Sequence, residues 1–523
     1  PGIPYSFDVT EIVKRAQANG RNWASMALYT AAGQYHSGKY FHSREGAEPP
    51  VVRIAYTLEG TPAWTPTMTP TMTPTVTLNS TPPTGSTTPS PTASASTTPA
   101  ATATPTGTPT STAVPTPGAV GCTRYASPGG LSAAVAALRA GDVLCLRDGT
   151  YTEAIAPRVN GTQAAPITIR ALNDGAVTID GQGTRKPLNL GEGTGGGNWF
   201  VIEGLVLRNG PEHVVIVKGS NNVLRRVSVY DANPDANSQI VLIWNSNNVI
   251  EDCIVGGTGR IGIDVFGGGG MTVNNNTVRR CYVQWERWDG RAFCGIQFPG
   301  SFGITAYNSS GGTYENNVIS GKAVVGILIQ ANHDAAAAND NAVLGNIAVG
   351  MGKERTAAGW QVWRYGSPTW PTLTRPGPTT CTTVTDWTWP GQRVGIQHFG
   401  QGTMVGNVYR DNIAVDSAGL GFSANNPGGG RWSGTVIERM TLFGNGSDAS
   451  SSDGGKGAQA KWPPGVACQN CRIGTAGTGG AILQRYENRQ PTGEPLTDWP
   501  MEGRALAELG VSVEAIIQEY SAR

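Results

Sequence analysis

At 523 residues the chain is longer than one hydrophobic core fills, so two or more domains are expected. A charged fraction of 14%, a formal net charge of +1 and 72 glycines suit a neutral, glycine-turned β protein and exclude the basic stripe of a nucleic-acid binder. No apolar run is long enough to cross a bilayer. The chain opens at Pro1 without a leader, which reads as a fragment or processed form and leaves export undecided.

Residues 1–58 hold strand-like runs, Trp23–Tyr29 and Val51–Tyr56, after a short helix-like stretch at Val9–Gln17. Residues 59–118 turn to Thr, Pro, Ser and Ala, with TPTMTPTMTPTVT as the clearest repeat. Such a tract buries too little apolar surface to fold and stays extended, a spacer of the kind that separates modules outside the cell. In residues 119–523, Leu131, Val135 and Leu138 fall at i, i+4 and i+7, which predicts a short amphipathic helix ended by Gly141.

Beyond it one phrase recurs, a hydrophobic strand with a polar pair followed by turn residues: IEGLVLRNG, LRRVSVYDA, IEDCIVGG, VRRCYVQW, YENNVISG, and on to CQNCRIG. Its centres are Leu205, Val227, Cys253, Cys281, Asn317, Ile347, Ile413, Met440 and Cys471, at steps of 22, 26, 28, 36, 30, 66, 27 and 31 residues. A period in the twenties with β-branched strands predicts a solenoid whose coils bury apolar faces only by stacking, here an all-β parallel β-helix. The tail, with Leu506, Leu509, Ile516 and Ile517 across Gly510, predicts two helices that cover the last coil or fold back along the side.

Eight cysteines are compatible with export. Cys122 and Cys145 flank the first helix, where a bridge would staple the first coil; Cys253 and Cys281 read as stacked thiols about 4.8 Å apart. The lone CxxC at Cys468 and Cys471 lacks a second pair at zinc spacing and reads as a strand residue and its neighbour.

The chemistry is expected in the uneven central insertions, at Trp285–Pro299, Asn332–Asn341 and the 66-residue interval. Trp285, Trp288, Trp360, Trp363 and Tyr365 offer flat faces to sugar rings, or else pack the loops onto the solenoid. Elimination on a uronic-acid polymer would take Lys353, His333 or His398 as base, with Arg355 or Arg364 on the carboxylate. Hydrolysis would take two carboxylates from Asp264, Glu286 and Asp289. Glu286 and Asp289 are also oxygen ligands for calcium, or loop ion-pair partners of Arg287 and Arg291. Asp264 in GIDVF and His398 in GIQHF share a leading Gly-Ile; with Ile263 and Ile396 inward, Asp264 and Gln397 point outward, and His398 lies inward or at the strand's end.

The words YSFDVTEIVKRAQANG, WASMALY and FHSREGAEPPVVRIAY resemble the second half of a DNRLRE-type β-sandwich, a carbohydrate-associated module. GDVLCLRDGTYTEAI and APITIRALNDGAVTIDGQG resemble the opening of secreted right-handed parallel β-helix proteins of the pectin-lyase-like superfamily. That resemblance implies a carbohydrate-active protein, secreted or surface-attached, with polysaccharide as partner: a polysaccharide lyase first, a glycoside hydrolase second, a non-catalytic glycan-binding adhesin as the alternative. The NTD, GHG, RIK and WIDH signature words of its hydrolases and lyases do not occur, so no site residue carries over from them.

Overall fold

The computed structural model describes residues 121–233, 238–268, 273–284, 302–321, 323–356, 359–362, 393–446, 459–474 and 499–521. Within these, strands pair in parallel with the coil before and the coil after, building three long sheets of eleven, eleven and nine strands. One coil shows the plan: Phe200–Glu203 enters the first sheet, Leu205–Arg208 the second and Val215–Val217 the third, and Val223–Arg225 returns to lie on Val201–Glu203. The parallel β-helix expected from the repeat is therefore observed. The segments 1–58 and 59–118, with the sandwich resemblance, lie outside the described residues.

The corner from first to second sheet is a single residue in left-handed conformation: Gly204, Arg226, Asp252, Arg280, Asn316, Gly345, Asp411 and Arg439 in successive coils. Left-handed arginines are disfavoured on their own. Here the backbone of the next coil fixes them, Arg226 N–H donating to Glu251 O and Arg280 N–H to Glu315 O. Just past this corner, asparagines stack inside the solenoid. Asn317 N–H donates to Asn346 Oδ1 at 2.9 Å, and Asn346 N–H to Asn412 Oδ1 at 2.9 Å. The central column thus runs Cys281, Asn317, Asn346, Asn412 and Met440, because Val318 pairs with Ile347 and Ile413 with Thr441. Ile347 and Ile413, which the repeat alignment placed in it, stand one residue later on the outer side, an error that period counting cannot detect. A second asparagine ladder, through Asn222, Asn248 and Asn276, marks the corner from third to first sheet.

The first sheet's outer face alternates in charge. Arg170, Glu203, Arg225, Glu251, Arg279 and Glu315 follow one another rung by rung, then neutral Leu344, then Arg410 and Glu438. Arg225 lies 3.1 Å from Glu203, and Arg279 2.6 Å from Glu251. The polar pair of the repeat is this ladder plus its corner residue.

Helix α1, Leu131–Ala136, buries Leu131 and Val135, with Leu138 also buried, against the first coil. It ends five residues before Gly141, with Ala137 as its cap, since the chain must already turn into strand Val143–Leu146. Cys122 and Cys145 are bridged, and Cys253 and Cys281 are free and buried. Cys468 and Cys471 are also bridged, a pairing that the sequence reading did not raise. Helices α2, Glu502–Leu509, and α3, Val513–Ser521, fold back along the second sheet. Met501, Ala505, Val513, Ile516 and Ile517 cover Tyr230, Ile254, Tyr282, Val318 and Ile347. Arg504 donates to Arg226 O at 2.7 Å and to Leu205 O at 3.1 Å, and Trp499 Nε1 to Arg280 O at 2.8 Å.

Candidate functional site

With the helical tail on the second sheet and the charge ladder on the first, the outer face of the third sheet carries the mixed aromatic and polar chemistry. Five of its strands share a word: GIDVF from Gly262, GITAY from Gly303, GILIQ from Gly326, GIQHF from Gly395 and GFSAN from Gly421. The glycine is required by close approach: a Cβ on Gly303 would sit 2.5 Å from Gly326 O, and one on Gly326 2.5 Å from Gly395 O. The second and fourth residues enter the core, as Ile263, Val265, Ile304 and Ala306 show. By strand alternation the third and fifth face outward.

The third positions stack in register as Asp264, Thr305, Leu328, Gln397 and Ser423, preceded by Leu242. Asp264 is 1% exposed. It accepts from Gln239 Nε2 at 3.1 Å and from the Thr305 hydroxyl. Burial pushes its carboxyl up to about 6, against the lowering effect of those bonds and of the Arg260 charge. The fifth positions begin with Phe266 and Tyr307, stacked with centroids 4.9 Å apart. Trp244 meets Phe266 edge-on at 5.7 Å, and Lys218 Nζ lies 4.0 Å from the Trp244 ring centre. Gln330 and Phe399 continue this column, half-buried throughout. Burial, and then the Asp264 charge, raise the Tyr307 hydroxyl.

The expected site residues divide. Asp264 and Gln397 lie outward on this sheet. His333 is exposed just beyond the strand Val325–Ala331, past Asn332, which accepts from Gln330 at 3.0 Å. His398 requires correction as a groove base: it faces the interior, its Nδ1 2.7 Å from Tyr409 Oη and its ring edge-on to Trp432 at 4.5 Å. Desolvation holds it down to about 3, so it is neutral. Lys353 is buried at the corner leaving the second sheet, ion-paired with Asp416. Arg355 and Trp360 are register partners in an antiparallel pair, Lys353–Thr356 with Gly359–Val362. Trp285, Glu286, Trp288, Asp289, Trp363, Arg364 and Tyr365 lie outside the described residues, and with them the calcium pair. Among the described residues no three His, Cys, Asp or Glu side chains converge on a metal position.

Gln239, Thr305, Tyr307 and the Trp244–Phe266 pair escaped the sequence reading. The full Gly-Ile series, of which only the first and fourth words were used, finds Thr305 and Tyr307; Gln239 opens and Trp244 directly follows the strand Gln239–Ile243, which lacks that word.

A family model described as right handed beta helix region matches residues 167–347. A search of the curated proteins finds no match. Among solved structures, an alginate lyase from Paenibacillus sp. str. FPU-7 is 15% identical, covering 68% of this chain and 100% of its own, with a TM-score of 0.36. Pectate lyase Pel9A is 13% identical over 69% of this chain and 80% of its own, at 0.35. The catalytic domain of a GH87 alpha-1,3-glucanase in complex with nigerose is 13% identical over 64% of this chain and 60% of its own, at 0.28. Likenesses this distant say nothing of what this chain does. The matched region and the coils that continue it on either side share one strand order, and the chain there is a right-handed parallel β-helix, the fold that the pectin-lyase-like resemblance implied.

Proposed function

We propose that this protein is carbohydrate-active and holds an extended polysaccharide along the outer face of the third sheet, where it cleaves the chain beside Asp264. The observation that carries this reading is the aromatic column Trp244–Phe266–Tyr307 running rung by rung next to a carboxyl whose proton is held to about pH 6. Aromatic faces at successive rungs suit sugar rings in a row. A carboxyl kept protonated at weakly acidic pH suits proton donation to a glycosidic oxygen. Of the three bases expected for the β-elimination that the resemblance put first, Lys353 is ion-paired and His398 faces the interior, while His333 stays exposed beyond the strand end; with two of the three withdrawn, hydrolysis by way of Asp264 is the first reading. Extracellular placement belongs to the same proposal and is supported by the Thr/Pro spacer and the Cys122–Cys145 bridge.

A second reading, glycan binding without cleavage, is favoured by the burial of Asp264. The full chain incubated with neutral and acidic polysaccharides separates them. Released reducing ends mark hydrolysis, and the ultraviolet absorbance of a new double bond marks elimination. Retention of polysaccharide with neither signal marks binding alone. For hydrolysis, Asp264→Asn loses about 100-fold or more of the rate while still retaining the polysaccharide.

A further inference from the structure

Gln397 lies in the outward column of the third sheet, two rungs beyond Thr305, about 10 Å along the axis at the ordinary strand spacing. It is 1% exposed, and neither its Nε2 nor its Oε1 has a hydrogen-bond partner. Its orientation is fixed by its neighbours, since Ile396 packs in the core and His398 bonds Tyr409 inside the solenoid. An amide buried with both ends unbonded is destabilising, and such groups in folded proteins call for an explanation.

Resting on the polysaccharide reading of this face, we infer that Gln397 is a specificity-determining residue that reads neighbouring sugar hydroxyls, so that the rung it occupies takes an uncharged sugar. The amide offers a donor at Nε2 and an acceptor at Oε1. A uronate carboxylate only accepts, so it would satisfy Nε2 and leave Oε1 facing an anion. A pair of hydroxyls accepts from the one and donates to the other, and satisfies both. The companions in the column carry no fixed charge beside Gln397: Leu328 on one side is apolar and Ser423 on the other is neutral.

The test is Gln397→Met, which keeps length and volume and removes both polar atoms, with Gln397→Leu as a second variant. Full-length protein is measured for retention on mixed-linkage β-glucan, galactomannan and α-glucan, and on polygalacturonate and alginate, with melting temperature in parallel. The expected result is a loss of about tenfold or more in affinity for a neutral polysaccharide that the wild type retains, with melting temperature unchanged or raised. A lowered melting temperature in both variants would show that the amide has partners within the protein and overturn the inference. Equal retention by wild type and variants, while Trp244→Ala and Tyr307→Ala lose it, overturns this inference and leaves the polysaccharide reading standing. Absence of retention by the wild type on all five polymers overturns both.

Discussion

Two buried titratable side chains on one sheet give opposite pH dependences. Asp264 keeps its proton to about pH 6 when folded, whereas in the unfolded chain the carboxyl titrates at its model value of 3.8. The stability this contributes is fully present below the unfolded value and lost as pH rises through about 6, a change of about 3 kcal/mol for two units. Urea unfolding of wild type and Asp264→Asn should therefore diverge between about pH 4 and 7, the variant holding steady. His398 runs the other way, from a model value of 6.5 down to about 3. Its contribution is complete above the unfolded value and declines as pH falls toward about 3, by about 5 kcal/mol in all. His398→Gln should flatten that acid limb in the same unfolding series. The sequence made Asp264 visible because Gly-Ile sets its phase. It could not show that Thr305, 41 residues on, donates to it, since only the register of separate coils brings them together.

At the scale of elements, the inner asparagine ladder ties the coils at the corner after the first sheet. Asn346 Nδ2 donates to Tyr314 O at 2.8 Å and to Asn412 Oδ1 at 2.9 Å, while its Oδ1 accepts from Asn317 N and Nδ2. Asn346→Ala strands several of these groups in a dry interior and should lower unfolding free energy by about 2–4 kcal/mol, read by chemical denaturation. The strand words foretold the coils well because hydrophobic alternation is local. The ladder was missed where the alignment slipped from Asn346 to Ile347, a shift that leaves the period intact. The tail helices were legible as helices, but the choice between end and flank depended on Tyr230, Ile254 and Tyr282 forming an apolar strip that no single coil displays. Removing residues 499–523 should uncover that strip, seen as increased binding of a hydrophobic dye and self-association by light scattering.

Across the described residues the solenoid is a stack in which each coil touches mainly its neighbours, so stability is gained coil by coil from the first coil beneath helix α1. The Cys122–Cys145 bridge closes a loop with a sequence separation of 23 at that point. Its loss in Cys122→Ser/Cys145→Ser should cost about 3 kcal/mol if the solenoid unfolds as one unit, measured by thermal and urea unfolding. The expectations for Glu286, Asp289, Trp285, Trp288 and Trp363 lie outside the described residues.

The charge ladder on the first sheet sets a parity rule for this architecture. Arginine and glutamate take turns, so excising or duplicating one ordinary interior turn would bring two like charges side by side, whereas a change by an even number of turns keeps the alternation. Leu344 is the exception: the order reads Glu315, Leu344, Arg410, and cutting out the single turn that bears Leu344 would bring Glu315 beside Arg410 and heal the alternation. Of all one-turn deletions, that one should leave the rest of the spiral best able to close up.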